Sequence, residues 1–458
     1  MTVRDLAGSG ALLIRMVNIQ GGRALRLPVA LAILAGASFA AAGHPDAFAK
    51  ILPRCLAGKD TPEQALPSSP GRNQLLHLYE AAGLCQLQGD FGRSRALFDR
   101  ADAVAREKDG RALASVTGGL AQGAAVAVND AVLPWDGSAC DRVLSRTLNA
   151  INYLALGDRE GALVEVRKAE AYQAVERERS RRTASAARDP ALAPGVAARC
   201  GPMAAFTRQV PNSYENAFTY YLSSQIYRSL GRRGLDDARI DLARARELAP
   251  RSTAASWRDP AGPGEGPPGT GEVVVLYQAG LVPALAQASV DLPLADGTLL
   301  CLAFPFYKDF GHAQPPLQIT APTGSLAAGC VADLRPLVVK ALQERMPGLI
   351  ARGVLGAAAK AAGQRELGER HGELARLFAA LTTKAVTAAD LRSWLSLPAE
   401  LQAASFPLAP GAHELTLRGA DWSRKVAVDV APGGTTFVCV RAVPGFQKIH
   451  TASFKPDA

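Results

Sequence analysis

The six histidines are the residues best suited to acid–base or metal chemistry in this chain, and their spacing offers neither. His44, His77, His312, His371, His413 and His450 are dispersed, with no His-Glu-x-x-His or other ligand spacing. Gly-x-Ser-x-Gly, the strained turn that exposes a nucleophilic serine, is absent. His77 and Cys85 lie on one predicted helix about 12 Å apart along its axis, too far for a thiolate–imidazole pair. Carboxylate pairs such as Asp236 and Asp237 fall in turns, where capping accounts for them. Arg392, Trp394 and Glu400 are the cluster around which an enzymatic site between two domains would form.

Binding chemistry is better supplied. Tyr79, Gln86, Thr147, Tyr221, Gln225 and Arg228 project to the hollow side of a predicted stack of helices. Tyrosine rings bury area while hydroxyls and amides bond to backbone, so this set suits a peptide or an extended protein segment. Gly83, Leu87, Ile151 and Leu154 share that side, and for the groove residues packing between repeats is an equal account.

The stack rests on a small-residue pattern that recurs three times. Gly89 is followed by Phe91, Ser94, Phe98 and Ala101, and Gly157 by Arg159, Ala162, Val166 and Ala169 at the same offsets. Gly231, Ala238, Leu242 and Ala245, closed by Pro250, repeat the later spacing after a longer turn. Antiparallel helices joined by short loops approach closely only where small side chains recur at the crossing. The preceding helix of each pair carries a matching face: Leu78, Ala82 and Cys85, then Arg146, Ala150 and Tyr153, then Tyr220, Ser224 and Tyr227. This grammar resembles the tetratricopeptide repeat of about 34 residues. Gly89 and Gly157 are 68 residues apart, two such units, so Asp102 to Asp141 holds either a degenerate copy or an inserted helix pair. Three ordinary alanine-rich hairpins are the plainer alternative.

Arg23 and Arg26 precede an uncharged stretch from Leu27 to Gly43, then Ala47-Phe48-Ala49 offers a small-x-small cleavage site. Basic, apolar and cleavable segments in that order make a secretory signal over residues 1–49, with Ser38-Phe39-Ala40 as a second site and Met16 as an alternative start. The stretch is marginal for crossing about 30 Å of hydrocarbon, so membrane association is expected only through an uncleaved signal. A buried helix is the competing account. Removing Arg4, Arg15, Arg23, Arg26, Asp5 and Asp46 lowers the formal charge from +9 to +7, too diffuse for a nucleic-acid partner. The basic run Arg177, Arg179, Arg181 and Arg182 is interleaved with Glu176 and Glu178, as in a solvated helix end.

Seven cysteines follow the signal. In an oxidising compartment Cys301 with Cys330 is the preferred disulfide and Cys140 with Cys200 the next. Cys55 lacks the small residues of a lipid-attachment box before it, since Leu52-Pro53-Arg54 stands there.

Residues 251–270, rich in proline and glycine, read as a linker between a helical domain over 50–250 and a second domain over 271–445, with 446–458 as a tail. Strands are predicted at Glu272–Tyr277, Ser289–Leu294, Leu299–Phe306, Glu400–Pro407, His413–Arg418, Lys425–Val430 and Thr435–Ala442. Helix is predicted over Asp333–Leu381, including an alanine-rich part from Val354 to Ala362. The fold class expected is mainly α, a tetratricopeptide-like helical repeat domain followed by a smaller α+β domain with an antiparallel sheet.

Gly271-Glu272-Val273-Val274-Val275-Leu276-Tyr277, Ala303-Phe304-Pro305-Phe306-Tyr307 and Asp390 to Glu400 resemble signature stretches of a bacterial family of envelope tetratricopeptide proteins of unassigned role. Asn129-Asp130 to Pro134 and Asn216-Ala217-Phe218 resemble the corresponding stretches of its first half. The resemblance covers most of the chain after the signal and implies a setting in cell-wall assembly. The expectation is therefore a non-catalytic adaptor, periplasmic or in the cell envelope, without cofactor or metal, that binds a protein or peptide in the helical groove. The alternative is a cell-wall enzyme, and a weaker third is a lipid carrier using the alanine-rich helix.

Overall fold

Each of the three glycines that punctuate the repeats takes a left-handed backbone, with φ of +82° at Gly89, +78° at Gly157 and +74° at Gly231. That conformation stops one helix and starts the next within a few residues. The computed structural model describes residues 43–66, 71–117, 133–184, 194–249, 269–293, 299–354 and 389–457. Its helices are α1 (His44–Leu56), α2 (Pro62–Ala65), α3 (Gln74–Gln88), α4 (Phe91–Thr117), α5 (Ala139–Ala155), α6 (Arg159–Ala184), α7 (Pro194–Phe206), α8 (Ala217–Ser229), α9 (Leu235–Leu248) and α10, over 334–354.

Three hairpins result: α3–α4, α5–α6 and α8–α9. Ser94, Ala101, Ala162, Ala169, Ala238 and Ala245 are all fully buried at the crossings. Two serines also bond across them: Ser94 Oγ donates to the Ala82 carbonyl at 2.8 Å, and Ser224 Oγ to that of Ala238 at 2.8 Å. Arg146, where the repeat grammar favours an apolar residue, is held by Asp102 of α4 at 2.7 Å. Caps fix the starts, with a reciprocal Ser138–Asp141 box on α5 and Asn216 accepting from the Thr219 amide on α8. Helix α4 runs through to residue 117, so no separate hairpin begins at Asp102; the remainder of that interval, 118–132, lies outside the described residues.

The second half contains β1 (Gly271–Ala279), β2 (Ala286–Pro293), β3 (Leu299–Phe306), β4 (Gln318–Ala321), β5 (Gly324–Ala327), β6 (Gly329–Asp333), β7 (Glu400–Leu408), β8 (Gly411–Arg418), β9 (Ser423–Val430), β10 (Thr435–Val443) and β11 (Phe446–Phe454). Seven of these match the expected strands to within a few residues. The expected antiparallel sheet is present as the four-stranded β5-β4-β8-β9 and the β2–β3 hairpin, and beside them stands a five-stranded sheet, order β11-β10-β1-β7-β6, in which β1 and β10 alone run parallel. The expected tail is corrected, since residues 446–454 form β11, paired along its length with β10.

The layers are helices, five-stranded sheet, four-stranded sheet. Alternation along the strands decides the facing. Val274, Leu276, Leu401, Ala403, Phe437 and Cys439 join the core of the helical hairpins, while Val273, Val275, Phe406, Val438 and Val440 meet the four-stranded sheet. With both faces covered, β1 and β10 are buried at every residue. The helical and the sheet-rich halves are therefore joined through a shared apolar cluster. Of the expected linker over 251–270, residues 251–268 lie outside the described residues, as do 355–362 of the expected alanine-rich helix and residues 1–42 of the expected signal. Cleavage after Ala49 would cut α1, whose Phe48 and Cys55 are buried; the Ser38-Phe39-Ala40 site would leave it whole. Neither expected disulfide is formed among the described residues: Cys140 and Cys200 are separate buried thiols, and Cys301 and Cys330 sit on strands of different sheets.

At Gly157 a Cβ would meet nothing within 4 Å, so only backbone strain opposes it. Gly157→Ala is expected to cost about 1–2 kcal/mol, read as a lower urea midpoint with an unchanged slope.

Candidate functional site

The hollow side of the three hairpins is occupied, and the occupant is the chain itself. Residues 389–399 run as an extended segment between the helices and the five-stranded sheet. Glu80, buried in the otherwise apolar face of α3, accepts from the backbone amides of Leu395 at 2.7 Å and Ser396 at 2.9 Å. Tyr79 stacks on Trp394 with ring centres 4.7 Å apart, and Phe98 meets the same indole edge-on. Trp135 Nε1 donates to the Arg392 carbonyl at 3.3 Å, and His44 Nε2 contacts that of Ser393 at 3.0 Å. At Gly83 a Cβ would stand 2.3 Å from Ser396 Oγ, so only glycine admits the segment there.

The sheet grips the other side. Arg441 Nη2 donates to the Ser396 carbonyl at 3.1 Å while Nη1 donates to those of Gln278 and Gly280 at 3.1 and 2.8 Å. Burial without a carboxylate partner pulls this guanidinium down to about 9, still cationic at neutral pH. The Val282 amide donates to the Leu397 carbonyl, and that of Ala399 to Ala279.

All six expected groove residues are thereby corrected from partner-facing to internal. Tyr79 is 1% exposed; burial pushes its hydroxyl up to about 12. Gln86 Nε2 donates to the Leu148 carbonyl at 3.1 Å and to Asn152 Oδ1 at 2.7 Å, joining α3 to α5. Thr147 and Thr219 share a hydroxyl bond of 2.8 Å between α5 and α8. Tyr221 is fully buried beside Ser405 and Glu272, its hydroxyl pushed up by burial first and the Glu272 charge second. Gln225 is 1% exposed, and Arg228 pairs through both terminal nitrogens with Glu272 of β1 at 3.2 Å each. Leu87, Ile151 and Leu154 are core. Tyr79, Tyr221 and Arg228 meet the second half of the chain, whereas Gln86 and Thr147 bond to neighbouring hairpins, and nothing local in the sequence separates the two cases.

Residues of the enzymatic alternative are equally committed. Arg392 holds Asp390 through two bonds of 2.8 and 2.7 Å, Asn73 Oδ1 at 2.7 Å and the Leu133 carbonyl at 3.0 Å. Trp394 Nε1 donates to Ser396 Oγ at 2.8 Å. Glu400 accepts from the Gln314 amide at 2.8 Å and from Arg335 at 3.3 Å. Beside them a cavity of about 40 Å³ is lined by Trp135, Asp141, Tyr307, Arg345, Arg392 and Trp394, room for about three waters. Burial raises both Asp141 and Tyr307 there, against the Ser138 bonds that lower Asp141. Cys85 is core as expected, and half-buried His77 is pulled down by burial. No group of histidine, cysteine and carboxylate side chains fit to hold a metal occurs among the described residues.

Comparison of the chain with protein-family models, with curated proteins and with solved structures finds no match.

Sequence reasoning missed two clusters. Glu80 was detectable as a lone carboxylate in an apolar helix face. Glu170 of α6 and Asp241 of α9 both reach Ser223 of α8, which donates to Asp241 Oδ2 at 2.7 Å. Burial, then the charge of Asp241, pushes Glu170 up to about 7; burial pushes Asp241 up to about 6.

Glu80→Gln leaves one segment amide without a good acceptor, and Gly83→Ala displaces Ser396. Each is expected to cost about 1–3 kcal/mol, measured by urea unfolding; unchanged midpoints would contradict the clamp. The Glu170 carboxyl binds its proton more tightly folded than unfolded, so that stabilisation is complete below the ordinary carboxylate value and lost as pH rises through about 7. Glu170→Gln, which needs no proton, is expected to gain stability over the parent between pH 5 and pH 8, on the order of 2 kcal/mol. Parallel pH profiles would contradict it.

Proposed function

We propose that this chain is an exported, non-catalytic adaptor of the bacterial cell envelope, in which tetratricopeptide-like hairpins hold their own second half and partners are met on outer surfaces. One observation carries this reading: the hairpins engage residues 389–399 by the means a repeat groove uses for a foreign peptide, namely backbone bonds to Glu80 and an aromatic shelf on Tyr79. A groove filled in this way acts as a weld. It makes helices and sheets one rigid platform, which suits a scaffold better than a machine with moving lids. The basic and apolar leader, with cleavage before His44 so that α1 survives, supports export. The resemblance to envelope tetratricopeptide proteins supports cell-wall assembly as the setting.

Crosslinking in intact envelopes, followed by affinity purification and identification of the bound protein, is expected to give a stoichiometric partner. The same preparation incubated with peptidoglycan fragments is expected to show no turnover. Repeated turnover would replace the adaptor with a cell-wall enzyme, and absence of any partner would remove the reading.

A further inference from the structure

The two sheets of the second half meet along a seam that does not close. Strand β9 is an edge of the four-stranded sheet and β11 an edge of the five-stranded one, and each has a single ladder partner among the described residues. They run side by side in the same direction. At one end the Asp429 carbonyl accepts from Thr436 Oγ1 at 2.7 Å and Ser453 Oγ at 2.8 Å. At the other, Gln447, with its amide oxygen turned inward, accepts from Arg424 Nε and Nη2 at 3.0 and 2.9 Å. Between these pins lies an open groove of about 440 Å³, within the size range of ligand sites.

Val426 and Ile449 rest half-buried on the core between the sheets and form its floor. Arg424, Lys425, Lys448 and His450 stand around it, and no acidic residue lines it. Glu414 does reach Lys425 at 2.7 Å, from the neighbouring strand, in an exposed pair that an incoming carboxylate can replace. The rims are supported from behind: Lys448 lies over the Phe446 ring and against the Gly89 turn, and His450 packs on Phe91 of α4.

We propose that this groove is a docking site for an extended acidic segment of another protein, which adds as a strand to β9 or β11. The inference rests on the adaptor reading and gives its partner a chemistry. An edge strand offers amides and carbonyls at the spacing of a polypeptide ladder, a match that a polysaccharide lacks. Alternate side chains of such a strand fall on the Val426–Ile449 floor and toward the cationic rim, so alternating apolar and acidic residues fit. A second copy of this chain would bring a like-charged edge to the groove and is opposed by repulsion.

The test uses the full processed protein and a labelled peptide of about eight alternating glutamates and valines, about the length of a strand. Binding is expected to weaken with salt, and the lysine–valine counterpart is expected to bind at least about tenfold more weakly. A version N-methylated at alternate residues keeps every charge but loses ladder donors, and is also expected to lose about tenfold or more. Lys425→Gln with Lys448→Gln is expected to lose a similar factor with little change in Tm, because both side chains are exposed and neutral amides bring no new repulsion to Glu414. Amides of residues 424–430 or 446–454 are expected to gain protection from hydrogen exchange on binding. No binding, equal binding of the N-methylated peptide, or equal competition by an anionic oligosaccharide would overturn the proposal. Such a failure with a crosslinked partner mapped elsewhere on the surface would leave the adaptor reading standing; absence of any crosslinked partner would remove both.

Discussion

The structure depends on how an extended piece of backbone is buried. Residues 389–399 have no strand partner for most of their length, so their amides and carbonyls need acceptors and donors from elsewhere. Glu80 supplies acceptors from the helical side and Arg441 donors from the sheet side. These two side chains face the same short segment from opposite layers, and each satisfies backbone groups that an apolar residue in its place would leave unpaired. Trp394 then fills the space between, stacked on Tyr79. Remove the segment, and the part of the α3 face around Tyr79, Glu80 and Gly83 and the backbone around Gly280 would lose their cover.

This arrangement ties the helical half and the sheet-rich half together. The hairpins present Leu75, Tyr79, Phe218 and Tyr221, the sheet presents Val274, Leu276 and Phe437, and these belong to one apolar cluster. The ion pair between Arg228 and Glu272 crosses the same boundary. Each half satisfies polar groups that the other buries.

What could be read in the sequence was local. Gly89, Gly157 and Gly231 end helices because left-handed backbone is easiest for glycine, and that preference needs no knowledge of the rest of the fold. Buried strands such as Gly271–Ala279 announce themselves as unbroken apolar runs. Illegible features were pairings between distant segments. Strand β11 reads as a polar tail because its outer side is open to solvent, and only its register with β10 makes it a strand. The parallel β1–β10 pair joins residues some 160 positions apart. Periodicity groups residues of a helix by face, yet it is blind to whether that face meets solvent, a neighbouring hairpin or the chain's own backbone.

The bond from the Leu395 amide to Glu80 spans 315 residues. A chain emerging from a ribosome thus delivers its hairpins long before the piece that seals them. Until residue 396 arrives, a carboxylate sits in the middle of the α3 face and disfavours its premature collapse onto another apolar surface. Closure of the core is thereby deferred until the sealing segment has been delivered.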